Sequence, residues 1–177
     1  MKTSPPDTLR PMTSADLELV LAWRNGPEVR KFMYSRAEIG LLEHQTWFEA
    51  AQRDSSTHLL ILECEGKRCG YSRLSQWRGG PVAEWGFYIA PDAVKGTGTR
   101  LGIAVLNHAF DVLKFTKVFA QTLSFNTRTL AYNQRMGFSL EGIWRDHFFD
   151  GVSHHSIHCF GLLAGEWQTV CERNAWK

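Results

Sequence analysis

Apolar and polar positions change period several times along the chain, and each change marks an element. Residues 9–12 alternate as a short first strand. Thr13-Ser-Ala-Asp16 then reads as a helix start, with Thr13 as cap and Asp16 three residues on. Leu17, Val20, Leu21 and Trp23 follow at helical spacing until Asn25-Gly26-Pro27 breaks the run. A short second helix is expected over residues 28–33. A third spans 41–53, with Leu41, Phe48 and Ala51 turned to the core.

The middle reads as a meander of strands over 57–64, 68–77 and 82–90, separated by Glu65-Gly66-Lys67 and Arg78-Gly79-Gly80-Pro81. The two-residue period of the third strand puts Trp85, Phe87 and Ile89 on one face and Glu84, Gly86 and Tyr88 on the other. A glycine-rich turn opens an apolar helix that ends near Leu113. A strand over 118–123 and a helix over 126–136 follow, and Gly137 is placed to cap that helix in the left-handed region. Two further strands join at Asp150-Gly151, and a terminal helix covers 165–176. The sum is an α/β sandwich: a mixed, mostly antiparallel sheet of about seven strands with helices on both faces.

Composition narrows the class. The chain has 177 residues, 44% hydrophobic and 21% charged, enough for one domain with a full core. We expect one domain over 1–177, with residues 1–8 a flexible N-terminus and 164–177 carrying the terminal helix. A formal net charge of +2 does not argue for nucleic acid or an anionic membrane surface, and neither is expected as a partner. No run is long and apolar enough to span a bilayer, and the polar start lacks a secretory core. A cytoplasmic location is therefore expected. Cys64 and Cys69 read as buried reduced thiols on adjacent strands. His154, His155, His158 and Cys159 suggest a metal cluster, but His154 and His158 on one strand lie about 13 Å apart, too far for one ion. No metal is expected.

The glycine turn carries the first chemistry. Lys95-Gly96-Thr97-Gly98-Thr99-Arg100 stands between a strand and a helix. Helix N-terminal amides and the helix dipole favour an anion there, glycines let backbone approach it, and Lys95 and Arg100 add charge. A dinucleotide fingerprint is excluded because Gly102 falls one residue late, and no Gly-Lys-Ser/Thr phosphate loop is present. A plain strand-to-helix turn is the alternative.

Strand, Pro91-Asp92, Lys95-x-x-Gly98-x-Arg100 and a long helix together resemble the acetyl-CoA motif of the GNAT N-acetyltransferases, with Arg100 in place of the usual small residue. Asn126 to Phe138 resembles their second signature, Asn-x6-Tyr-x3-Gly-Phe, with Asn133 at the tyrosine position and Tyr132 one residue earlier. The resemblance implies direct acetyl transfer from acetyl-CoA to an amine in a ternary complex. It implies cofactor contacts from residues 95–100, Asn126 and Asn133, and thioester polarisation by backbone near Tyr88 and Ile89. Glu84 is the candidate base, and Tyr132 or Asn133 the candidate on the thiol side.

Trp23-Arg24-Asn25, Met33-Tyr34 and His44 resemble the group within that family that acetylates the 4-amine of a UDP-linked amino-dideoxy sugar in pseudaminic acid synthesis. That implies an acceptor pocket from Arg24, Met33, Tyr34, His44 and Tyr88. The alternatives are a protein N-terminus or a polyamine as acceptor, or a non-catalytic acyl-CoA sensor. The apolar positions Leu163, Trp167 and Val170 fit either a monomer or a homodimer.

Overall fold

The computed structural model describes residues 7–176. The expectation for residues 1–8 therefore lies largely outside the described residues. Asp7 and Thr8 are within them, and Thr8 already belongs to a strand.

The chain runs β1 (Thr8–Pro11), a 3₁₀ turn (Ser14–Asp16), α1 (Leu17–Asn25), α2 (Pro27–Arg30), α3 (Leu41–Arg53), β2 (Thr57–Cys64), β3 (Lys67–Gln76) and β4 (Val82–Ile89). It continues as α4 (Thr97–Asn107), a π-helical turn (His108–Val112), β5 (Lys117–Leu123), α5 (Thr127–Arg135), β6 (Ser139–Phe149), β7 (His154–Leu163) and α6 (Ala164–Asn174). The seven strands form one sheet in the order β1-β2-β3-β4-β5-β7-β6. Consecutive strands joined by tight turns pair antiparallel. β4 and β5 are joined through α4, and such a crossover sets them parallel.

The alternation in β4 sorts two cores. Trp85, with Leu101, Val105, Tyr132, Met136, Phe138 and Trp167, packs between the sheet and α4, α5 and α6. Tyr71, with Val20, Trp23, Phe48 and Ile61, packs on the other face under α1 and α3. Trp167 and Val170 of α6 are buried within the chain, and the Trp167 indole donates to Asn107 Oδ1 at 2.8 Å.

Some expectations shift. α2 ends at Arg30, three residues early, and 31–40 runs on without a helix or strand. α3 starts at Leu41 as expected, but Leu41 is 42% exposed, and His44 with Phe48 forms its buried stripe. Cys64 and Cys69 are buried, but their sulfurs stand at bonding distance as a disulfide across the β2–β3 turn rather than as two thiols. Gly137 does adopt the left-handed conformation, at φ 92°.

Candidate active site

β4 and β5 share only three register pairs, from Val82↔Lys117 to Glu84↔Phe119. Beyond Glu84 the strands separate: β4 keeps its partner β3 and β5 keeps its partner β7. The Ala90 amide donates to Cys69 on β3, so by antiparallel alternation the amides of Tyr88 and Gly86 also face β3. Those of Ile89 and Phe87 face the opening. The expected pair of polarising residues is thus redrawn: Ile89 is presented, Tyr88 offers its ring instead of its amide, and Phe87 joins.

The cradle lies at the top of this opening. Gly96 sits at φ 97°, a conformation that favours glycine, and turns the chain into α4. The Thr97 amide and hydroxyl are both spent on the Val94 carbonyl. The amides of Gly98 and Thr99 come next with no backbone acceptor among the described residues, which leaves them for an anion. Lys95 is exposed at the rim. Arg100 is held by Asp7 at 3.1 Å and by the Thr97 hydroxyl at 3.4 Å. These residues fit a diphosphate, with the opening between β4 and β5 below them.

The other face of β4 floors a cleft of about 320 Å³. Arg24, Met33, His44 and Tyr88 of the expected acceptor set line it together, and Glu43, Trp47, Arg73 and Gly86 line it as well. A Cβ added at Gly86 would enter open space. Arg24 comes from the last turn of α1; its Nη2 donates to the Ser35 carbonyl at 2.9 Å, while its Nη1 is buried without a partner. His44 is 4% exposed and stacks on Trp47, and its Nε2 also lacks a partner. Burial holds its imidazole below the ordinary pKa, against a hydrogen bond to the Leu17 backbone, so it stays neutral near pH 7.

Tyr34 does not line the cleft. Its hydroxyl donates to Gln121 of β5 at 3.1 Å, and its ring meets Phe148. Desolvation, with the carboxylate of Glu84 adding to it, pushes that hydroxyl up to about 12. Glu84 stands at the vertex of the opening, on the cleft face, 3.9 Å from an Arg73 nitrogen. Sequence reasoning missed Glu43 and Arg73. Glu43 adjoins His44, and Arg73 lies opposite Gly86 in the β3–β4 register; that pairing becomes a signal only once the hairpin register is known.

On the helical side, Tyr132 is buried against Trp85 and Phe87, and its hydroxyl donates to the Gly98 carbonyl at 2.8 Å. It ties α5 to the first turn of α4. Asn133 is fully buried; its Nδ2 donates to Thr122 Oγ1 at 3.1 Å and its Oδ1 has no partner. The Asn126 side chain caps α5 by accepting from the Thr129 amide at 3.2 Å. Among the described residues no group of three His, Cys, Asp or Glu side chains is arranged to hold a metal ion.

This splayed sheet with an anion cradle above it matches the family model described as acetyltransferase (GNAT) domain over residues 8–139. The chain belongs to the GNAT acetyltransferase family. It is therefore an N-acetyltransferase that uses acetyl-CoA. Spermidine N(1)-acetyltransferase of Escherichia coli K12 is 25% identical over 152 residues, covering 84% of this chain and 82% of the relative. Acetyltransferase PseH of Campylobacter jejuni is 24% identical over 151 residues, covering 85% and 93%. Among solved structures, spermidine N-acetyltransferase from Vibrio cholerae in complex with CoA and spermine superposes with a TM-score of 0.85 at 19% identity, covering 92% of this chain and 98% of that one. That likeness establishes the fold. No helix among the described residues is long and apolar enough to cross a membrane.

Proposed function

We propose that this GNAT enzyme acetylates an amine carried by an anionic small molecule, best matched by the 4-amine of a UDP-linked amino-dideoxy sugar. The single observation that carries the proposal is an unmatched buried cation in the cleft. Arg24 lines it with its Nη1 buried and without a partner, whereas the other guanidinium there, Arg73, has Glu84 at 3.9 Å. A buried unpartnered donor on a cation is costly, and a diphosphate oxygen would satisfy it. Trp47 and Tyr88 offer flat apolar surface for a nucleobase, and the His44 Nε2 offers an acceptor for an N–H or O–H.

In this reading the diphosphate of acetyl-CoA rests on the Gly98 and Thr99 amides, and the thioester hangs in the opening. The Phe87 and Ile89 amides polarise its carbonyl. Glu84 takes a proton from the incoming ammonium, directly or through water, because only the neutral amine has a lone pair to attack with. The amine nitrogen bonds to the carbonyl carbon and gives up its second proton to solvent, the carbon–sulfur bond breaks, and the thiolate takes a proton from water to leave as CoA thiol. The whole chain acts as one catalytic domain, drawing on the acetyl-CoA of the cytoplasm.

Glu43 in the cleft, with Glu84 at the vertex, favours a second reading: a polyamine acceptor, as the name of the E. coli relative states for that protein. Thiol release measured with a UDP-4-amino-sugar and with spermidine separates the two. The proposal expects kcat/KM for the sugar nucleotide to exceed that for spermidine by at least tenfold; the opposite ratio replaces it with the polyamine.

A further inference from the structure

The family's tyrosine position holds Asn133, and the hydroxyl of Tyr132 is committed to the Gly98 carbonyl. The thiol side of the opening therefore needs another donor. Carrying the parallel register three residues past Glu84↔Phe119 sets Thr122 level with Phe87, whose amide faces the gap. Thr122 shares a face of β5 with the buried Val118 and Ala120, toward α5, whereas Gln121 lies on the acceptor face with Glu84. An amine entering from the Glu84 side thus meets a thioester whose sulfur can depart toward Thr122.

The polar pair behind that wall has no evident structural purpose. Asn133 is 0% exposed and Thr122 4% exposed, in a core of Trp85, Tyr132, Met136 and Phe138. An amide oxygen left unpartnered there is destabilising, and an apolar pair would avoid that cost. What the arrangement does provide is direction. The Asn133 Nδ2 occupies a lone pair of Thr122 Oγ1, which leaves the hydroxyl hydrogen free to turn toward the gap.

We propose that Thr122 donates a hydrogen bond to the sulfur as the carbon–sulfur bond breaks, and that Asn133 positions that hydroxyl. The bonding pair passes to sulfur, the hydroxyl stabilises the thiolate without losing its own proton, and the thiolate takes a proton from water as it leaves. A free thiol has a pKa of about 8.5, so a hydrogen bond suffices where a full acid is missing. Thr122 is then a catalytic residue and Asn133 a positioning residue. The inference rests on the opening as the seat of the thioester, and it is independent of the acceptor.

The test is the ionisation of CoA bound to the protein, followed by the ultraviolet absorbance of the thiolate. The ionisable neighbours are Tyr132 on α5, His158 opposite Thr122 on β7, and Glu84 on the far face; all are retained in every variant. Wild-type and Thr122→Ser protein are expected to ionise the bound thiol at a pH about one unit below Thr122→Val, the size of one hydrogen bond to a charged group. With any accepted amine, Thr122→Val should lose about tenfold or more in kcat at unchanged KM for acetyl-CoA, and Thr122→Ser should restore it. Asn133→Leu, which keeps the hydroxyl but frees it to rotate, should lie between them and serves if the valine variant does not fold. Equal thiol ionisation and equal kcat in all of these proteins would overturn the inference. Failure of CoA to bind the wild type would instead remove the seat of the thioester itself.

Discussion

Glu84, the proposed base, stands where β4 and β5 part, with Arg73 3.9 Å away, a separation that leaves its carboxylate open to a substrate proton. Glu84→Gln keeps the shape and removes that proposed base, so kcat in steady-state assays is expected to fall by about 10²–10⁴-fold. Gly86→Val tests the cleft by volume: the new side chain enters the space above β4, so kcat/KM for the acceptor should collapse while CoA affinity in a titration holds. At this scale much of the site could be read from the sequence. Arg24, His44 and Tyr88 line one cleft because helix and strand periods fix which way each points. Met33 and Tyr34 lie in 31–40, where no period constrains them: Met33 lines the cleft, but Tyr34 reaches across to Gln121 instead. Arg73 and Glu43 escaped because their chemistry appears only when β3 is laid beside β4 and α3 is set above both.

Among the elements, α4 and α5 depend on one missing side chain. At Gly102 a Cβ would run into the Tyr132 hydroxyl and the Met136 side chain, so the absence of a Cβ lets the two helices close and lets Tyr132 hold Gly98. Gly102→Ala is expected to cost about 1–3 kcal/mol in chemical denaturation through overpacking. It should also weaken CoA binding, because Gly98 carries one of the free amides of the cradle. The segment 31–40 acts as a strap: Arg36 lies over Phe125 and Phe148 and pairs with Asp150 at 3.3 Å, joining α2 to the β6–β7 hairpin. Helices with strong periods, such as α3 and α5, stood out in the sequence. α2 did not, because its Pro27 start is followed by only one turn before the strap takes over. The disulfide was equally hidden: two apolar-facing cysteines on a hairpin look the same whether their sulfurs are joined or free.

For the whole molecule, the two faces of the sheet do separate work in the proposed reaction: the α4–α5–α6 face carries the cradle and the α1–α3 face the cleft, and the sheet is open between them. The entry to the acceptor face is anchored by Asp16, 1% exposed, which accepts from Arg10 at 2.7 and 2.9 Å and from the Thr13 amide at 2.8 Å. Burial alone would raise its pKa, but the hydrogen bonds from Arg10 and Thr13 outweigh it and hold the carboxyl well below the usual range. A depressed carboxyl stabilises the fold fully above its unfolded pKa of about 4, and that contribution drains away as pH falls toward the folded value. Stability should therefore drop in acid, and Asp16→Asn should lose about 1.5–3 kcal/mol at pH 7 while flattening that acid dependence. A mixed, mostly antiparallel sheet of about seven strands was legible in the sequence; the strand order and the opening between β4 and β5 required the register.

The proposed acceptor is tested without turnover by titration calorimetry of UDP into the CoA-loaded protein. UDP is expected to bind saturably, with Arg24→Ala weakening it by at least tenfold and no comparable heat from spermidine. Saturable spermidine binding with none from UDP would rule out the sugar nucleotide.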